Sequence, residues 1–298
     1  MATVGIVGCG LCGLLIARGL QERGEDVFLL DKSRGVGGRI ATRRFEGGHY
    51  DTGTPIIPKR DTWMEPFVGA GILQPEGLGF RSVPVMTTLP KAMAEGLDLY
   101  LGERLEAFVR ETASWKLKTA NGEFGPVKEL ILTLPVPQML DLLRASSIEL
   151  DVEQRKALEQ VGYRKQLMLL AKMEEAFDFK GDGLITEVVD QGERGSPAED
   201  GHYLLSFSTK FSDEHYDLKD EEVIEMMDVA LKERGIRPLR VNLKRWKFSR
   251  VTKAYEGEGP GLIGHPGLWM AGDAFGGGDV AGAVSSAKSI LNSFARDH

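Results

Sequence analysis

The chain is short of the residues that most often build a metal site or a nucleophile. Its 298 residues include only two cysteines, Cys9 and Cys12, and two thiols alone make no zinc site. The five histidines, His49, His202, His215, His265 and His298, show no ligand spacing, so no metal is expected. No G-x-S-x-G nucleophile elbow occurs. No apolar run approaches the ~20 residues needed to span a bilayer. Basic residues do not dominate: 37 Lys and Arg against 44 Asp and Glu leave a net charge of −7, which favours neither nucleic acid nor an anionic membrane. Repeats and low-complexity tracts are absent. With 42% hydrophobic and 27% charged residues the composition is that of a soluble globular protein, and the length suits one large domain or two intertwined ones.

What the chain does have is two phosphate-handling motifs within its first 39 residues. The apolar run Val4-Gly5-Ile6-Val7 leads into Gly8-Cys9-Gly10-Leu11-Cys12-Gly13. In such a G-x-G-x-x-G, Gly8 permits the tight turn, Gly10 lets backbone approach a pyrophosphate, and Gly13 lets the following helix lie close to the sheet. Helical apolar spacing runs from Leu11 to Arg23, with Gly24 as the stop. The N-terminus of that helix would face the diphosphate with free N–H groups. Val27-Phe28-Leu29-Leu30 reads as a buried strand ending in Asp31, 18 residues after Gly13, where a carboxylate can accept bonds from ribose hydroxyls. The second motif, Arg34-Gly35-Val36-Gly37-Gly38-Arg39, follows directly. The pair in this order points to FAD, with Arg34 and Arg39 placed to meet the diphosphate charge. Cys9 and Cys12 occupy variable positions of the phosphate turn, where a dianionic neighbour opposes a thiolate. They are therefore read as small packing residues and not as a redox pair. The nucleotide-binding strand begins at about Thr3 and leaves no room for a cleaved leader, so the cytoplasm is the expected location.

The segment from Asp51 to Arg60 reads as loop, Thr88 to Gly96 as a short helix, and Leu97–Leu101 and Arg104–Val109 as strands. Ser114–Thr119 and the turn signal Asn121-Gly122 indicate a β-meander. Leu130–Leu134 is a strand stopped by Pro135, followed by a helix from Pro137 to Arg144. Further on, Tyr163–Met173 and His202–Ser208 read as strands, Gln191–Gly201 as loop, and Leu218–Arg234 as an amphipathic helix with an acidic first turn. Near the end, strand Leu268–Ala271 leads to Gly272-Asp273, then Gly276-Gly277-Gly278, then a helix from about Val280 to Ala295 rich in small residues. Such a unit suits the closing element of a flavin domain. Asp273 would meet the ribityl or diphosphate region, and the N–H groups near Val280 the flavin edge where negative charge develops on reduction.

These residues resemble the renalase family, small FAD-dependent oxidoreductases of the flavin amine-oxidase superfamily. The resemblance is carried by Asp31-Lys32 through Gly37-Gly38-Arg39, the Asp51-x-Gly53 turn, Leu89-Pro90-Lys91-Ala92-Met93, Leu134-Pro135-x-Pro137-Gln138, Phe211-Ser212-x-x-His215, Arg245-Trp246-Lys247-Phe248, and Ala271-Gly272-Asp273 with Asp279-Val280-Ala281-Gly282-Ala283. It implies an α/β, p-hydroxybenzoate hydroxylase-like two-domain fold, a Rossmann-type FAD-binding domain interleaved with a mixed-sheet substrate domain. The FAD domain would comprise 1–58, 90–140 and 250–298, and the substrate domain 59–89 and 141–249. It also implies noncovalent FAD and oxidation of dihydronicotinamide isomers of NAD(P)H, with oxygen taking the electrons. Together with Gly8, Gly10, Gly13, Asp31, Arg34, Arg39, Asp273 and Val280, the expected cofactor contacts are Leu11, Cys12, Lys32, Gly38, Thr54, Pro55, Ile56, Leu105, Gly272 and Asp279.

One departure concerns the substrate side. The family continues its Asp-x-Gly turn as Ala-Gln-Tyr-Phe-Thr, whereas this chain reads Thr54-Pro55-Ile56-Ile57-Pro58. Backbone contacts to a flavin survive that change, but the side chains offered to substrate differ. Trp246 and Phe248 sit at i and i+2, so on a strand they share a side and are the expected pocket walls, with Arg245 and Lys247 pointing the other way. Tyr163, Lys165, Tyr203 and Phe207 are further pocket candidates by position. Two other functions fit the same motifs: an amine oxidase or desaturase of the superfamily, or a flavin-binding sensor or scaffold without turnover.

Overall fold

A computed structural model of the chain describes residues 3–58, 61–175, 177–193 and 201–294. It divides into two compact units. The first comprises Met1–Gly38, Leu89–Gly162 and Val251–His298; the second comprises Arg39–Thr88 and Tyr163–Arg250. The borders differ from those expected. Residues 39–58 fall in the second unit because Thr42–Phe45 pairs with Gly48–Asp51, Tyr50 donates from its hydroxyl to the Ala171 carbonyl, and the Asp51 N–H donates to Gln191. Residues 141–162 fall in the first. There the Phe108 N–H donates to Ser146 Oγ, and Gln154 donates to the Gly261 carbonyl and accepts from the Ile263 N–H.

In the first unit a five-stranded parallel sheet runs in the order Leu268–Met270, Glu129–Leu132, Val4–Val7, Val27–Asp31, Asp98–Leu101. The inner strands are apolar and buried except for Asp31 and Glu129 at their ends, the pattern of strands covered on both faces. The helix Leu11–Gln21 is followed by a turn to Gly24, whose φ of 84° suits the stop that glycine supplies. It packs against the closing helix Asp279–Phe294, where a Cβ on Gly19 would lie 2.6 Å from the Leu291 side chain. The meander forms as Leu105–Glu111, Ser114–Thr119 and Glu123–Val127. Asp98–Leu101 joins the parallel sheet instead, because the turn after it is tied down: the N–H groups of Gly102 and Glu103 donate to the carbonyls of Ser33 and Asp31. Helices Thr88–Ala94, Val136–Ala145 and Val152–Glu159 complete this unit; the last was not read from the sequence.

The second unit is built on a four-stranded sheet in the order Ile185–Asp190, His202–Phe207, Gly162–Lys172, Arg240–Lys253. Side-chain alternation splits it into two faces. On one, Leu167, Leu169, Ala171, Leu205 and Phe207 pack with Phe211 of the helix Thr209–His215 and with Val223, Met227 and Leu231 of the helix Asp220–Glu233. On the other, Met168, Leu170 and Leu204 pack with Tyr50 of the Thr42–Phe45/Gly48–Asp51 hairpin and with Trp246. A second hairpin joins Leu73–Glu76 to Gly79–Ser82. The expected loop over 191–201 lies outside the described residues from 194 to 200, as do Lys59 and Arg60 of the Asp51–Arg60 loop and Ala295 at the end of the closing helix. Among the described residues no helix is long and apolar enough to cross a membrane.

Candidate functional site: a dinucleotide cradle and an aromatic sheet face

Each glycine of the first motif has a separate reason in the structure. Gly8 has φ 113°, and a Cβ there would lie 2.4 Å from Thr133 Oγ1. A Cβ on Gly13 would lie 2.0 Å from the Gly8 carbonyl oxygen, so only glycine lets the helix start this close to the strand. Gly10 is different. Its φ of −77° is open to any residue, and a Cβ there would meet nothing within 4 Å. The fold itself does not require glycine at position 10, whose Cβ side is left open to the close approach of a ligand. Thr133, not singled out in the sequence, fixes the turn by donating from its hydroxyl toward the carbonyls of Val7 and Gly8. Its only sequence signal is a hydroxyl at the end of the apolar strand Leu130-Ile131-Leu132.

The second motif rests on the first. The Gly37 N–H donates to the Cys9 carbonyl at 2.8 Å, Gly10 and Gly37 form a parallel bridge, and Gly38 at φ 56° brings its backbone against Gly10. Asp31 joins the two segments: Oδ2 accepts from the Cys9 N–H and Oδ1 from the Ser33 N–H, both at 2.7 Å. Each carboxylate oxygen keeps a further lone pair for a ribose hydroxyl. Lys32 is turned toward Gln138, Arg34 is exposed in the turn, and Leu105 is buried at the start of the meander.

Cys12 lies in the packed interior beside the closing helix. Its thiol is buried against Ser286 and Gly272. Burial first, and then the Asp273 charge against a bond from Ser286, pushes it up to about 12. Cys9 is likewise pushed up to about 12, by burial and then by Asp31. Neither environment favours a thiolate.

At the C-terminal end Gly272 adopts φ 135° and donates its N–H to Ser286 Oγ. Asp273 is buried. A Cβ on Gly276 would lie 2.1 Å from the Gly282 carbonyl oxygen, and one on Gly282 2.6 Å from the Asp273 carbonyl oxygen. The small residues therefore clamp the turn onto the first turn of the closing helix, where Asp279, at φ 56°, and Val280 stand. The unit thus presents helix N–H groups and a close-packed glycine backbone, the features that an FAD dinucleotide requires. The residues fit the cofactor.

In the second unit the Asp51-x-Gly53 turn lies directly on the backbone of Arg39. The Thr54 N–H donates to the Arg39 carbonyl at 2.8 Å, and a Cβ on Gly53 would lie 1.8 Å from the same oxygen. Asp51 is buried, accepting from Thr42 Oγ1 and the Met86 N–H. Thr54 Oγ1 donates to the Ile56 carbonyl, Pro55 is exposed, and Ile57 exchanges two backbone bonds with Phe80. Trp246 and Phe248 lie on Arg240–Lys253, both half-buried. The Trp246 Nε1 donates to the Thr52 carbonyl, Lys244 Nζ lies 3.7 Å from the centroid of its ring, and Phe248 meets Tyr163 edge-on at 5.2 Å. Arg245 points the other way, as its parity predicts, binding Asp220 and the carbonyls of Tyr216 and Leu218. Of the other pocket candidates, Tyr203 and Phe207 lie in the helix-covered core, and Lys165 pairs with Asp217. Lys244 escaped the sequence reading, although it shares the alternation of Trp246 and Phe248.

A family model described as flavin containing amine oxidoreductase matches residues 69–290, and one described as NAD(P)-binding Rossmann-like domain matches residues 6–70. The chain is 22% identical over 335 aligned positions to renalase from Mus musculus, covering 98% of each chain. It is 28% identical to a 4,4'-diapophytoene desaturase from Staphylococcus aureus, over 68 residues that cover 23% of this chain and 14% of that protein. Among solved structures, a putative protoporphyrinogen oxidase from Exiguobacterium sp. 255-15 superposes with a TM-score of 0.76 at 16% identity, covering 100% of this chain and 99% of that one. A triple mutant of putrescine oxidase gives 0.77 at 14% identity with the same coverage. At these identities the solved structures speak for the fold alone, and they agree with the α/β, Rossmann-type architecture expected from the sequence.

Proposed function

The chain belongs to the flavin-containing amine oxidoreductase family, and from that premise we propose that it oxidises a dihydronicotinamide, an isomer of NAD(P)H, with oxygen as the final acceptor. It is an FAD-dependent oxidoreductase. The finer reading is supported by one observation: the likeness to renalase is collinear over 98% of both chains, whereas the desaturase likeness stops after 68 residues. A cytoplasmic location and noncovalent FAD belong to the same reading.

Bound FAD supplies a two-electron acceptor at its N5 position, and a dihydropyridine yields its hydride without a general base, driven by its own nitrogen lone pair. The residues of this chain bind and orient. We assign the diphosphate to the turn Gly8–Gly13, with Leu11, Cys12 and Gly38 contributing backbone and Arg34 and Arg39 contributing charge. Asp31 takes the ribose hydroxyls, with Lys32 and Leu105 beside the nucleoside. Gly272, Asp273, Asp279 and Val280 take the ribityl chain and the flavin edge, where the helix N-terminus favours the negative charge of reduction. Thr54, Pro55 and Ile56 would offer backbone to the flavin, and Trp246 and Phe248 are assigned to the donor.

Anaerobic mixing of the yellow protein with candidate donors tests this. Bleaching of the flavin absorbance by dihydronicotinamide isomers is expected. Bleaching by amines alone would move the assignment to an amine oxidase. Bleaching by no donor, with dithionite still effective, would leave a flavin-binding sensor or scaffold.

A further inference from the structure

Lys244, Trp246 and Phe248 follow one another at alternate positions of one strand. The indole of Trp246 is held by its bond to Thr52 and by packing against Tyr50, Met168, Leu170 and Leu204. The half-buried Lys244 lays its Nζ 3.7 Å from the centroid of that ring. Arg43 arrives from the hairpin, with Nη1 3.5 Å from the carbonyl oxygen of Leu243, the residue before Lys244. The ammonium that lies over a fixed aromatic ring thus has a second cation, Arg43, in its neighbourhood. Among the described residues neither forms an ion pair with a carboxylate.

Such a pair costs the fold something. Burial first, and the Arg43 charge second, hold the Lys244 ammonium down to about 8, so the two groups oppose each other's charge, and among the described residues neither has a carboxylate ion pair to offset it. A lysine serving only to cover the ring would snorkel its head into water. An anion between the ammonium and the guanidinium reverses the repulsion and restores the hydrogen bonds lost with water.

We propose that Lys244 and Arg43 form an anion subsite that takes the phosphate of a nucleotide substrate, with the Trp246 ring as its apolar wall. Phosphate matches the donors: a compact ammonium and a planar fork together can engage several of its oxygens. The identity of the nucleotide rests on the dihydronicotinamide reading above; the anion subsite does not.

The test is calorimetric titration of the FAD-loaded protein with inorganic phosphate at neutral pH and low salt, with tryptophan fluorescence followed in parallel. Saturable binding that changes the tryptophan emission is expected in the parent and in Lys247→Met, whose side chain leaves the strand on the opposite side. Lys244→Met and Arg43→Gln should each weaken binding by about tenfold or more, with flavin absorbance and melting temperature reporting that the variants are folded. Unaltered affinity in both variants, or no saturable binding in the parent, overturns the subsite. A second arm compares flavin reduction by dihydronicotinamide mononucleotide and by its dephosphorylated riboside. The phosphorylated donor should half-saturate at about tenfold lower concentration. Lys244→Met should abolish that preference without changing the limiting rate. Equal half-saturation by the two donors in the parent also counts against the subsite. If no dihydronicotinamide reduces the flavin while Lys244-dependent phosphate binding persists, the donor assignment fails and the anion subsite stands.

Discussion

The Nε1 of Trp246 donates a 2.7 Å hydrogen bond to the carbonyl of Thr52, tying the aromatic strand to the buried Asp51-x-Gly53 turn across 194 residues of sequence. The indole therefore has a packing duty as well as the proposed donor-facing one, and two substitutions separate them. Trp246→Phe keeps an aromatic ring but leaves the Thr52 carbonyl without this donor, and should cost about 1–3 kcal/mol in denaturant unfolding. Flavin reduction in that variant should stay close to the parent rate. Trp246→Ala removes the ring as well, should cost about 3–5 kcal/mol, and should slow reduction in the protein that remains folded. A Phe variant slowed as severely as the Ala variant would assign the functional effect to the hydrogen bond and its turn.

The glycines of the first motif should respond differently to the same added methyl group. In Gly13→Ala the new Cβ would meet the Gly8 carbonyl oxygen at 2.0 Å, so backbone must move and both flavin content and melting temperature should fall. In Gly10→Ala the new Cβ meets nothing within 4 Å, so the FAD-free protein should melt as the parent does while FAD affinity drops. Measuring melting temperature after flavin removal, and FAD affinity by fluorescence titration, distinguishes the two. Full FAD affinity in Gly10→Ala would mean that no ligand approaches there.

The two thiols should be silent. With both pushed up to about 12 and both buried, the thiolate fraction at pH 8 is on the order of 10⁻⁴. A colorimetric thiol reagent should titrate no cysteine in the native protein and both after unfolding. Rapid native labelling would reopen the dithiol reading of Cys9 and Cys12.

The dinucleotide cradle was legible because its geometry is local. Turn, helix start and acidic strand end lie within a few tens of residues, and Gly8 and Gly13 answer steric demands that the motif already states. The outward parity of Trp246 and Phe248 against Arg245 was legible for the same reason, since alternation is a property of any strand. The hairpins were not. Thr42-Arg43-Arg44-Phe45 has no apolar alternation and becomes a strand through its pairing to Gly48–Asp51, which buries Tyr50 on the distant sheet. Leu73–Glu76 carries Pro75, which argues against a strand wherever a backbone donor is needed. The unit borders moved on such long-range bonds as Asp51 to Gln191 and Gln154 to Gly261. Lys244 escaped because its unusual feature is the proximity of Arg43, which only tertiary structure creates.

The Lys244–Arg43 pair also makes a prediction about stability and pH. The Lys244 ammonium is held below its ordinary value of 10.5, to about 8, by burial and then by Arg43. Between those two pH values the unfolded chain keeps a proton that the folded chain has released, so this group makes stability rise with pH. Below about pH 8 both states are protonated and the full cost of the buried ammonium is present; approaching pH 10.5 that cost is relieved. Lys244→Met keeps a long apolar side chain beside the Trp246 ring and removes the charge. In phosphate-free buffer it should therefore melt above the parent at neutral pH, and the gap should narrow as pH rises through 8 toward 10. Phosphate should raise the melting temperature of the parent more than that of the variant, because only the parent gains from binding the anion in its folded state. A Lys244→Met protein that melts below the parent at neutral pH would show that the cation–π contact and stem packing outweigh the burial cost, and that the two cations are not held at an expense to the fold.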